Sequence, residues 1–132
     1  MNQHASGRFD VTLAPQPAAP GIEAARLGRQ TIDKQFHGDL HAHSLGEMLA
    51  VMTGVSGSAA YVALERVEGR LHGRTGTFVL QHRATMSRGT PALSVQVVPD
   101  SGTGELVGLQ GEMRIEIRDR QHFYHFDYQL PD

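Results

Sequence analysis

Several polar side chains sit on faces that otherwise alternate apolar residues at a period of two, and they are the strongest chemical signal in the chain. Lys34 lies between Ile32 and Phe36. Tyr61 and Glu65 share one face of a later segment. Phe78, Leu80 and His82 share another, and His122, Tyr124, Phe126 and Tyr128 a third. If these faces point inward, one enclosed space receives Lys34, Tyr61, Glu65, His82, His122 and Tyr124. A carboxylate enclosed beside His or Lys has a shifted pKa, and such groups work as acids and bases. Glu65 or His82 would then be the base, and Tyr124 or Lys34 the proton donor. The reaction would be a cofactor-free isomerisation or cyclisation. Tyr61, Phe78 and His122 would grip the ligand. The competing reading is a satisfied polar core network. A slip of one residue in any strand would turn its set outward.

Three weaker signals carry other chemistries. His41-Ala42-His43 followed by Glu47 has the spacing His-x-His-x3-Glu, which echoes the first metal-binding motif of cupins. Gln35 stands where that motif has a glycine, and the second cupin motif has no counterpart, since Asn2 is the only asparagine. Exposed strand histidines explain the same residues. Gly69-Arg70-Leu71-His72-Gly73-Arg74-Thr75-Gly76 offers Arg74 as an anion clamp for a ligand. It lacks the lysine and following helix of a phosphate loop, so a hairpin corner is expected. Ser101 and Thr103 have no nucleophile elbow around them, and turn chemistry accounts for both.

Composition narrows the function classes. Lys and Arg total 12 against 14 acidic residues, for a net charge of -2, so no basic surface invites nucleic acid. Cysteine is absent, which removes disulfides, thiol chemistry and cysteine-bound zinc. No stretch approaches the ~20 apolar residues of a membrane span, and the start lacks a signal-peptide pattern. A cytoplasmic protein with no membrane partner and no cofactor is expected. Eight histidines make its charge sensitive between about pH 5 and 8.

The elements that must position these residues are strands. Phe9, Val11 and Leu13 alternate with polar residues in the first. Further strands are expected over 28–37, 40–52, 59–67, 71–85, 92–98, 112–118 and 121–130. Turns fall at Glu68-Gly69, at 87–91 and at Asp119-Arg120. Residues 14–27 hold Pro15, Pro17 and Pro20 and read as a long loop, a lid or a disordered segment. Residues 1–6 read as a flexible start. Between Pro99-Asp100 and Glu112, the stretch 101–111 carries Gly102, Gly104, Gly108 and Gly111, too many for a regular element. About eight strands with short turns and no long helix predict one all-β domain over 1–132, an antiparallel sandwich or closed barrel, and the barrel is preferred because it removes both edges from strands this long.

Several blocks agree in order with one family. They are Leu27-Gly28-Arg29, residues 32–40, Gly46-Glu47-Met48-Leu49, residues 61–67, Leu71-His72-Gly73-Arg74, residues 76–82 and residues 97–106. Over about 7–130 the chain resembles the bacterial family of domain of unknown function 3224. The resemblance implies an allene-oxide-cyclase-like barrel. The glycine stretch is similar to one in allene oxide cyclases and dirigent proteins, which steer reactions of small hydrophobic molecules. No catalytic residue is carried over. The expectation is a barrel that takes up a small, largely apolar molecule, either as binder or as enzyme. A structural or interaction barrel with a filled core is the alternative, and barrel relatives make self-association plausible.

Overall fold

The computed structural model describes residues 2–131. Eight strands follow one another: β1 (Asn2–Gln16), β2 (Gly28–Phe36), β3 (Leu40–Met52), β4 (Ala59–Leu71), β5 (Arg74–Ser87), β6 (Thr90–Val97), β7 (Gln110–Arg118) and β8 (Gln121–Gln129). Each pairs antiparallel with the next, and β1 returns to β8 to close a barrel. Closure pairs every strand on both sides, sparsely between β6 and β7, which suits strands this long. Among the described residues no helix is long and apolar enough to cross a membrane.

Alternation decides which face looks inward. Along β4, Ala63, Glu65, Val67 and Leu71 are buried while Val62, Leu64, Arg66 and Arg70 are exposed. The expected register therefore holds on each strand bearing a candidate residue. Lys34, Tyr61, Glu65, Phe78, His82, His122 and Tyr124 all point into the barrel.

The first strand departs from expectation at both ends. Residues 2–6, expected to be flexible, pair with β8 from Ser6 opposite His125 to Asn2 opposite Gln129. The far half of β1 pairs with β2 instead, through Pro15 opposite Gln30 and Gln16 opposite Arg29. Phe9 is the changeover, opposite both His122 and Phe36. Tilted strands in a barrel need this shared use of a long strand, so the expected loop over 14–27 shrinks to 17–27. Its only regular structure is a 3-10 turn at Glu23–Ala25, and no residue of 17–27 lines the barrel's cavity.

The expected turn at Glu68-Gly69 is strand. Gly69 fits there because a Cβ would lie 2.3 Å from the His41 carbonyl oxygen on β3. The chain reverses three residues later at His72-Gly73, with φ of 47° and 81°. Arg88-Gly89 and Asp119-Arg120 likewise have positive φ at both positions. That is the signature of two-residue type I′ hairpins, whose twist matches that of the strands.

One end of the barrel is filled. Phe78 stacks on Phe126 with centroids 5.9 Å apart, and Tyr124 meets Phe36 edge-on at 5.5 Å. Such ring pairs add about 0.5–1.5 kcal/mol each beyond area burial. Leu106 and Leu109 from the glycine stretch complete this plug and are fully buried. The stretch crosses the closed end from β6 to β7, which meet through a single Gln96–Glu112 pair. The other end, ringed by the last residues of β1, β3, β5 and β7, is open.

Candidate functional site

Four neighbouring strands each supply one polar side chain at the level where the filled half ends. Glu65 on β4 is at the centre. Its Oε2 accepts from Lys34 Nζ on β2 at 2.8 Å and lies 2.5 Å from His82 Nε2 on β5. Its Oε1 accepts from the Ser44 hydroxyl on β3 at 2.7 Å. Register explains the convergence: Lys34 is opposite Ser44, Gly46 is opposite Glu65, and His82 is opposite Ala63. Gly46 lets β3 and β4 close up, since a Cβ there would lie 2.2 Å from the Leu64 carbonyl oxygen and 2.7 Å from Glu65 Cα.

Lys34, Glu65 and His82 are only 5%, 1% and 4% exposed, so an unpaired charge here would be severely destabilising. Burial pushes the Glu65 carboxyl up. The hydrogen bond to His82 and the charges of Lys34 and His82 outweigh it and lower the pKa to about 2. Glu65 is thus a fixed carboxylate. The Lys34 ammonium also lies 4.9 Å from the Phe9 ring centroid and 5.5 Å from that of Phe36, whose π faces favour a cation. No fully buried side-chain nitrogen or oxygen among the described residues lacks a partner.

Above this cluster the barrel is hollow. A cavity of about 560 Å³ runs from Lys34 and His82 to the open end. Ile32, Met48, Ala63, Ala84, Leu93 and Ile115 are among its walls, which are almost wholly apolar. Tyr61 on β4 and His122 on β8 add polar groups to its lining from opposite sides. Burial, with the Glu65 charge behind it, raises the Tyr61 pKa. Apolar walls with a few convergent polar groups are the usual make-up of a small-molecule site.

The structure divides the expected residues into three places. Lys34, Glu65 and His82 meet, and Tyr61 and His122 share their cavity. Tyr124 and Phe78 face inward but belong to the filled end. The Tyr124 hydroxyl accepts from Leu40 N–H and donates to the His37 carbonyl, both at 2.8 Å. It ties down the β2–β3 turn and has no link to Glu65. Burial pushes its pKa up to about 12, which suits a structural hydroxyl. Arg74 is exposed at the start of β5, beside the His72-Gly73 hairpin at the closed end.

His41, His43 and Glu47 face outward from β3. His43 lies 2.7 Å from Asp33, and Glu47 pairs with Arg29 at 3.1 Å. Four residues along a strand span about 13 Å, so His43 and Glu47 do not converge. Among the described residues no three His, Cys, Asp or Glu side chains form a metal-sized group.

Ser101 and Thr103 have a structural use. Beyond Leu80, β6 no longer pairs with β5. Ser101 Oγ, Thr103 Oγ1 and Glu105 Oε1 accept instead from the N–H groups of Val79, Thr77 and Thr75. Side chains at every second position thus stand in for the missing strand.

Sequence reasoning missed Ser44 and Gly46. Both lie on the inward face of β3 between Ala42 and Met48, and a small polar residue in that apolar series was the available signal.

Fold and site together define a small antiparallel barrel, plugged at one end and hollow at the other, with a buried ion pair on the cavity floor. The chain belongs to the family described as Protein of unknown function (DUF3224), which matches residues 5–128. It is similar to a crystal structure of a protein of unknown function from that family, from Shewanella oneidensis MR-1. The two are 49% identical with a TM-score of 0.91, covering 100% of this chain and 99% of the other. No curated protein matches the chain.

Proposed function

We propose that the protein takes up a small, largely apolar molecule through the open end of the barrel and orients it on the Lys34–Glu65–His82 floor. The observation that carries this is the cavity of about 560 Å³, apolar along its walls and polar only at a few points. A barrel whose purpose was structural would gain stability by filling that space, as the opposite end does. The test is titration with N-phenyl-1-naphthylamine, a neutral dye that brightens in apolar surroundings. Saturable binding at one dye per barrel supports uptake. A flat titration, with no thermal shift across a panel of apolar metabolites, removes it.

A second reading, cofactor-free isomerisation, is favoured by one contact. A carboxylate held at a pKa of about 2 is a weak base, but it orients His82 and stabilises the imidazolium that forms when His82 takes a proton. His82 would remove a proton from a carbon beside a carbonyl and return it at another position, while Lys34 balances charge on the oxygen. Deuterium incorporation into bound ketones in heavy water, lost in His82→Gln, tests it. A cytoplasmic setting fits a cysteine-free chain, and cell fractionation checks that.

A further inference from the structure

The exposed apolar side chains of this barrel gather at one end. Ile22 and Leu27 in the 17–27 connection, Met52 at the end of β3, Val55 in the 53–58 connection, and Met86 and Ile117 near the ends of β5 and β7 stand out around the open mouth. Scattered exposed apolar residues need no explanation, but a ring of them around one opening marks a contact surface. The ring continues onto the outer wall through Leu49, which is opposite Val62, and then Leu64. Among the described residues, Val107 is the one exposed large apolar side chain at the closed end.

Charge divides along the same axis. The closed-end connections, 37–39, 72–73 and 98–109, hold Asp39, Asp100 and Glu105 with His37 and His72, and neither lysine nor arginine. Those at the open end hold Arg26, Arg88 and Arg120 against Glu23 and Asp119. Arg74 at the start of β5 and Arg118 at the end of β7 add one cation to each end. Arg83 is opposite Val62 and Arg29 opposite Leu49, beside the apolar wall. Glu47, the carboxylate among them, is held by Arg29 at 3.1 Å. Arginines around an apolar ring match a surface of anionic lipid. They do not match a second copy, because a two-fold contact would set the arginines of one mouth against those of the other.

We propose that the open end docks on an anionic lipid surface, tilted towards its β3–β4 side, so that the mouth of the cavity faces the bilayer. Ile22, Met52 and Val55 enter the interface, and Arg26, Arg83 and Arg88 meet lipid phosphates. An apolar molecule dissolved in the bilayer then reaches the cavity without crossing water, a purpose that rests on the uptake reading above. Docking of this kind needs no membrane-spanning segment, because separate strands and connections assemble the face.

Flotation with vesicles tests this. The protein should float with phosphatidylcholine vesicles that contain about 30% phosphatidylglycerol, bind pure phosphatidylcholine about tenfold more weakly, and be released by about 0.5 M NaCl. Val55→Glu with Val62→Glu, at two exposed positions that do not line the cavity, should abolish vesicle binding and leave dye binding unchanged. Arg83→Gln with Arg88→Gln should weaken vesicle binding about 30-fold, about fivefold for each charge, and the lipid preference of the wild type decides even if a variant does not fold. Absence of binding, or equal binding to both kinds of vesicle, overturns the proposal. So does sedimentation as a dimer that the Val55→Glu, Val62→Glu pair splits, which assigns the face to a second copy. If N-phenyl-1-naphthylamine binds and the vesicles do not, docking falls and uptake stands. If the vesicles bind and the dye does not, docking stands and uptake falls.

Discussion

Glu65 is the residue on which the interior of this protein turns. It accepts three hydrogen bonds and balances the one ammonium in the core. Glu65→Gln leaves the Lys34 charge buried and unpaired, and should destabilise the fold by about 3–5 kcal/mol in urea titration. Replacing Lys34, Glu65 and His82 together by Met, Leu and Phe should be neutral or stabilising, because the desolvation penalty goes with the charges. A stable triple variant without ligand uptake would mean that the cluster is kept for binding rather than folding. Acid should act through the same carboxyl. Its pKa falls from 4.5 to about 2 on folding, so its contribution is whole above pH 4.5 and lost as pH drops toward 2. That contribution is on the order of 3 kcal/mol, and the acid limb of a stability–pH curve should flatten in Glu65→Gln. Tyr124 belongs to another story. Tyr124→Phe strips the Leu40 N–H of its partner and should lower stability by about 1–3 kcal/mol while leaving dye binding unchanged. Loss of binding at full stability would return Tyr124 to the site.

At the scale of elements, β5 shows how the barrel manages an unpaired strand segment. Ser101, Thr103 and Glu105 meet three of its N–H groups in place of β6. The connection can fold that tightly because Gly102 has no side chain, since a Cβ there would lie 1.9 Å from the Leu106 carbonyl oxygen. The double variant Ser101→Ala, Thr103→Ala should lose about 2 kcal/mol. It should also raise amide exchange at Thr77 and Val79, with little change in β3 and β4. Uniform loss of protection would show instead that the ladder governs global stability. The polar candidates were legible because each strand alternates cleanly, so period two alone told which side chains share a face. Gly69 misled because glycine marks both turns and places where a neighbouring strand comes close, and only the position of His41 and Ala42 distinguishes them.

At the scale of the molecule, the barrel is two half-domains on one sheet, a packed plug and an apolar well. The plug supplies the stability that lets the well stay hollow. Ala84→Trp, on the wall above His82, should fill the well and abolish dye binding, with stability changed by no more than about 1 kcal/mol. Retained affinity would place the binding site elsewhere.

The chain's own pattern determined the all-β class and which side chains share a face on each strand that carries a candidate residue, because alternation is a local property that burial enforces. It left open whether the faces carrying Lys34, Glu65 and His82 look inward, because a slip of one residue reverses a face. Only tertiary structure decided how far along that interior each residue lies. Barrel shear shifts neighbouring strands against each other, so residues equally inward can end at opposite ends. That shear brings Lys34, Ser44, Glu65 and His82 to one level and carries Tyr124 and Phe78 away into the plug.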